Sequence, residues 1–137
     1  MVALALAASA CTIDTGTVAD AGPCAGSADF FVSDVQPRYL DANRCGSASC
    51  HDFSGGHGTL RLRAPEVPAP AAGTTIDQWP LGWRENYLSA IQLVRCDAPD
   101  ASRLLTVPEG VANLHPPGPV VLDRAAAATV IETWVMP

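Results

Sequence analysis

Residues 45–51 read CGSASCH: two cysteines separated by four small residues, with a histidine directly after the second. What this stretch can be depends on the other sulfurs. The chain has five cysteines, Cys11, Cys24, Cys45, Cys50 and Cys96, and an odd number leaves one over in a fully oxidised protein. With Cys11 set aside, two accounts of the remaining four stay open. In both, Cys24 pairs with Cys96. In one, Cys45 and Cys50 also pair with each other; in the other, they are bonded to something else. A Cys45–Cys50 disulfide closes a short loop and leaves His51 without a role.

The N-terminus supplies a reason to set Cys11 aside. Residues 1–11, MVALALAASAC, are an apolar run followed by small residues and a cysteine. The run has the length of a secretory leader and is well short of the roughly 20 residues of a membrane span. The stretch AASAC resembles the lipobox of bacterial lipoproteins, although no Lys or Arg precedes the apolar run. That resemblance implies a signal peptide over 1–11, acylation of Cys11, and an exported protein anchored in a membrane and facing the periplasm or cell surface. Residues 12–28 are small and polar without periodicity, as a flexible tether would be.

Composition narrows the partners. The chain of 137 residues has a formal net charge of −6 and no Lys/Arg cluster, which argues against nucleic acid. An acidic surface suits a basic partner, or simply solubility. Aromatic residues are few, and 12 Pro and 11 Gly are many for this length. Such a chain buries a thin core and gains from a covalent or ligand-based support.

A ligand of that kind is suggested by the motif itself. The spacing C-x-x-C-H is the attachment signal of c-type haem: each sulfur adds to a vinyl group, and the histidine ligates the iron. Here the spacing is C-x4-C-H, a longer variant of that signal, and the inserted Gly46, Ser47, Ala48 and Ser49 are small enough to bulge between two anchor points. A zinc site of Cys45, Cys50, His51 and His57 is the less favourable reading, because adjacent ligands such as Cys50 and His51 rarely fit one tetrahedron.

Periodicity makes the fold class mostly α. Ser33 or Asp34 can cap a helix that carries Val35 and Tyr39 and runs into Cys45, with Pro37 in its first turn. RENYLSAIQLVRC places Tyr87, Ile91 and Val94 on one side of a second helix. In DAPDASRLL, Asp97 or Asp100 can cap a short helix with Leu104 and Leu105. Asp123 can cap a last helix whose stripe is Ala127, Ile131 and Trp134 or Val135. Between the first two helices lies a long irregular Gly/Pro-rich loop, which needs a reason in so small a domain. Packing over a flat apolar cofactor is one, with Trp79 and Trp83 either in that cover or in the core.

From about residue 30 to 135 the chain resembles the c-type cytochrome domains of exported bacterial lipoproteins. The resemblance is carried by DVQPRYLDANRCGSASCH, GGHGTLRLR, DAPDASRLL and HPPGPVVLDRAAAATVIETWV. It implies a monohaem domain over 29–137 with a small class I-like cytochrome c fold, its N- and C-terminal helices packed across each other. It implies one covalent haem c held by Cys45 and Cys50, with His51 as proximal iron ligand. Such domains commonly supply a distal methionine from M-P-P-G-G-P. The stretch here is HPPGP, so the resemblance puts His115 in that place, with Met136 as the alternative. The function implied is electron transfer to redox partner proteins, not enzymatic turnover. Two other readings stand beside it: a haem domain with an open sixth site, acting as peroxidase or gas sensor, and a haem-free, disulfide-bonded surface lipoprotein that binds a partner.

Overall fold

The structure is a computed structural model, which describes residues 24–47, 50–56, 58–110, 115 and 123–136. The leader with Cys11, tether residues 12–23, Ala48, Ser49, His57 and the prolines after His115 lie outside the described residues. Among the described residues the fold is mostly helical, as expected. Helix α1 begins as a single α-turn at Ala28–Phe30 and continues without a break as a π-helix over Phe31–Asp41. Helix α2 spans Leu81–Ile91, α3 is the short Arg103–Thr106, and α4 spans Arg124–Val135. Single 3-10 turns at Ile76–Gln78 and Pro99–Ala101 precede α2 and α3.

Helix α1 starts earlier than expected and is capped differently. The Ser27 hydroxyl accepts from the amide of Phe30 at 3.2 Å, whereas Asp34 lies inside the helix, ion-paired with Arg38 at 2.9 Å. Pro37 consequently sits in the helix interior, where it has no N–H to donate and its ring crowds the preceding turn. The wider π winding coincides with that proline. The reason for the early start is tertiary. The amide of Ser27 donates to the carbonyl of Trp134 at 2.8 Å, and the Tyr87 hydroxyl donates to the carbonyl of Gly26 at 2.8 Å. A Cβ at Gly26 would collide with the Trp134 indole. Cys24 and Cys96 form a disulfide. Residues 24–28, read as the end of the tether, are thus packed onto the body of the protein.

Helices α1 and α4 meet through aromatic rings. Phe31 of α1 packs against Trp134 of α4 with ring centroids 5.4 Å apart, and against Tyr87 of α2 at 5.2 Å, edge to face. Tyr87 also meets Trp79 and Trp134, both edge to face. Each such pair contributes about 0.5–1.5 kcal/mol beyond the area it buries. Trp79 and Trp83 are therefore core and anchoring residues rather than a cofactor cover: Trp79 joins this cluster, and the Trp83 indole donates to the carbonyl of Glu66.

The long loop is held by buried polar groups more than by its own side chains. Asn86 of α2, fully buried, accepts from the amide of Arg63 at 2.7 Å and donates to the carbonyl of Arg63 and to Gln36 of α1. Buried amides of this kind need every partner they have, so the loop is fixed between α1 and α2. The TLRLR segment contributes a single isolated bridge, Leu62 to Asp52.

Helix α4 follows the sequence reading closely. Asp123 accepts from the amide of Ala126 at 3.0 Å, and Ala127, Ile131, Trp134 and Val135 are its buried stripe. Helix α3 differs in its cap: Ser102, not Asp97 or Asp100, occupies the N-cap. Its hydroxyl accepts from the amide of Arg95 at 2.9 Å, while Asp97 pairs with the Arg95 side chain at the surface. Among the described residues no helix is long and apolar enough to cross a membrane.

Candidate functional site

The end of α1 sets the position of Cys45. The amide of Arg44 donates to Asp41 and the amide of Cys45 donates to Leu40, each at 3.0 Å. This pair of reversed bonds, five-to-two and six-to-one, is a Schellman ending, and its turning residue lies in the left-handed region. Glycine usually stands there. Here it is Arg44, with φ of 54°, a conformation that costs a residue with a Cβ about 1–2 kcal/mol.

The two ends of the CGSASCH stretch are joined through the backbone. The amide of His51 donates to the carbonyl of Cys45 at 3.1 Å, bringing the two ends of CGSASCH together. Within it, Ser47 donates to Arg44 at 3.1 Å and Cys50 donates to Ser47 at 2.9 Å. His51 is held from the other side as well, its carbonyl accepting from Leu62 at 2.8 Å. Gly58, with φ of 77°, lies beside the His51 ring, which a Cβ at this position would meet at ordinary contact distance.

These residues line one hollow. Its walls are Tyr39, Asn43, Arg44, Cys45, Cys50, His51, Leu60, Leu104, Pro108 and His115. The His51 and His115 rings face each other with centroids 6.1 Å apart and planes tilted by 36°. The structure therefore brings together the four residues that the sequence singles out, two cysteines and two histidines. Met136, following the last turn of α4, is 56% exposed and is absent from the walls. Asn43, Arg44, Leu60 and Pro108 are wall residues that sequence reasoning missed. The alternation in TLRLR was the one signal available for Leu60, helical spacing from Tyr39 the one for Asn43, and nothing local marks Arg44 or Pro108.

The far wall is pinned to α1. The Tyr39 hydroxyl donates to the carbonyl of Leu104, a bond that joins α1 to α3 beside the hollow. Burial, with smaller effects from Cys45 and Glu109, holds the Tyr39 phenol above its ordinary range, so it stays a donor. Cys45 is a free and buried thiol, so a Cys45–Cys50 disulfide is not formed. Burial first, and then the neighbouring Cys50, push its pKa up to about 11.

Two thiols and two imidazoles are side chains that a metal ion or a haem could use. Two imidazoles on opposite sides of a metal, each bonded at about 2 Å, place their ring centres about 6 Å apart, close to the observed separation. Among the described residues no cluster of three or more His, Cys, Asp or Glu side chains forms a metal site. A haem, which brings its own equatorial ligands, would draw on the two imidazoles and the two thiols. The hollow measures only about 30 Å³, enough for a water or two, so its side walls would have to part to admit a macrocycle.

Comparison with protein-family models, with curated proteins and with solved structures gave no significant match for the chain.

Proposed function

We propose that this protein is an electron carrier with one covalently attached c-type haem and a small class I-like cytochrome c fold. The observation that carries this reading is the facing pair His51 and His115, 6.1 Å apart, in a hollow that Cys45 and Cys50 also line. In this reading the two cysteines are the thioether attachment points, His51 is the proximal iron ligand and His115 the distal one. When bound, the haem supplies reversible one-electron chemistry at its iron.

The polypeptide's part is positional. The helix ending at Leu40–Cys45 and the closed loop to His51 hold the first sulfur and the first imidazole in fixed relation. Tyr39, Leu60, Leu104 and Pro108 offer apolar walls that exclude water from the iron. Two imidazoles favour a lower potential than a histidine–methionine pair. Acylation at Cys11 and a tether would anchor the carrier outside the cytosol, within reach of redox partner proteins.

The test is substitution at the distal position. His115→Ala is expected to change the optical spectrum and the potential, and His115→Met to raise the potential. An unchanged spectrum and potential in His115→Ala would remove His115 from the iron.

One observation favours a second reading, a haem-free surface protein stapled by Cys24–Cys96: the hollow is small as it stands. That reading expects the exported chain to have no visible absorption.

A further inference from the structure

Among the described residues, four arginines pair with carboxylates, and one pair differs from the rest. Arg38–Asp34 and Arg95–Asp97 are local in sequence, and Arg63–Glu85 is partly exposed on both sides. In the fourth, Arg124 reaches Glu109 at 2.9 Å, and the Glu109 side chain is only 9% exposed. A carboxylate so far out of water is seldom left without a cation, and removing that cation is costly. The Glu109 charge also acts on the Tyr39 phenol, which places it near a wall of the hollow.

The pair joins two places that the backbone already fixes. On one side, the amide of Glu109 donates to the carbonyl of Leu105 at 3.3 Å, and Pro108 is itself a wall of the hollow. Gly110, with φ of 75°, then turns the chain. On the other side, Arg124 opens α4 directly after its cap, Asp123. His115 lies between those two ends in the sequence, and its ring faces that of His51 at 6.1 Å. Holding the ends of a segment together lowers the freedom of the residues within it.

We propose that Glu109 and Arg124 are a positioning pair for the distal ligand: their ion pair ties the two ends of the segment that carries His115 and so keeps its imidazole on the iron. This rests on the haem reading and adds to it the residues that govern how readily His115 leaves.

The test uses the full chain exported together with c-type maturation machinery. Intact mass first establishes whether haem is attached. The reduced protein is then mixed with carbon monoxide, which binds the iron only after the distal imidazole has left, so the binding rate reads the release of His115. Arg124→Gln, at the exposed end of the pair, and Glu109→Gln are expected to bind about fivefold faster than wild type, and Arg124→Lys within about twofold of it. His115→Ala is expected to bind faster still, and adding Arg124→Gln to it is expected to change nothing further. Wild-type rates in both Gln variants overturn the positioning role, and so does an acceleration by Arg124→Gln that persists without His115; either result leaves the haem reading standing. A haem-bearing wild type that binds as fast as His115→Ala removes His115 from the iron, and the positioning role with it. A wild-type chain without haem mass overturns the haem reading and this inference together.

Discussion

The amide of Cys45 donates to the carbonyl of Leu40 at 3.0 Å, so the last bond of α1 is also the bond that positions the first motif cysteine. Leu40 is fully buried behind it. Leu40→Ala is expected to cost about 2–5 kcal/mol through lost burial and the cavity left behind. Chemical denaturation measures that loss, and a cost below about 1 kcal/mol would mean that the helix end does not pack on Leu40.

Tyr39 ties α1 to α3 through the carbonyl of Leu104. Tyr39→Phe keeps the ring and leaves that carbonyl without its donor, an expected loss of about 1–3 kcal/mol. The same denaturation experiment measures it.

These two contacts show where sequence reading succeeded and where it stopped. Asp123, the buried stripe of α4 and the grouping of Cys45, Cys50, His51 and His115 were legible because each depends on local spacing or on a motif. The cap at Ser27 was not. It is selected by the carbonyl of Trp134, more than 100 residues away, and no local pattern outweighs a plausible Ser33 or Asp34. Ser102 was missed for a related reason: its hydroxyl is used on Arg95, outside the helix it begins. Trp79 and Trp83 were ambiguous because large aromatic residues read alike whether they cover a ligand or fill a core. Arg44 gave no signal, since arginine at a left-handed helix ending follows no propensity rule.

The Cys24–Cys96 disulfide spans a sequence separation of 72 residues. Restricting an unfolded loop of that size stabilises the folded state by about 4 kcal/mol on the chain-entropy model. The Cys24→Ser, Cys96→Ser double variant is expected to melt well below wild type. An unchanged melting temperature would show that the bond contributes little in solution.

Glu66 sits at the start of α2, where both of its carboxylate oxygens accept from the amide of Gly82 at 3.0 Å. That hydrogen bonding, foremost from Gly82, holds its pKa below the ordinary carboxylate value. A depressed folded pKa means stability that is present above the unfolded value, about 4.3, and lost as pH falls through the folded one. Glu66→Gln is therefore expected to melt lower than wild type at pH 7, with the difference closing in acid. Melting temperatures across that range check it, and a difference that persists at the acid end would assign the effect to packing rather than to charge.

The most direct test of the haem proposal is the intact mass of the exported, mature chain, measured before and after disulfide reduction and read beside its visible spectrum. The account expects one haem that survives denaturation and reduction, a low-spin spectrum, and Cys45 and Cys50 both closed to alkylation. A chain with no haem mass, no visible absorption, and thiols at Cys45 and Cys50 that alkylate once it is unfolded would contradict it.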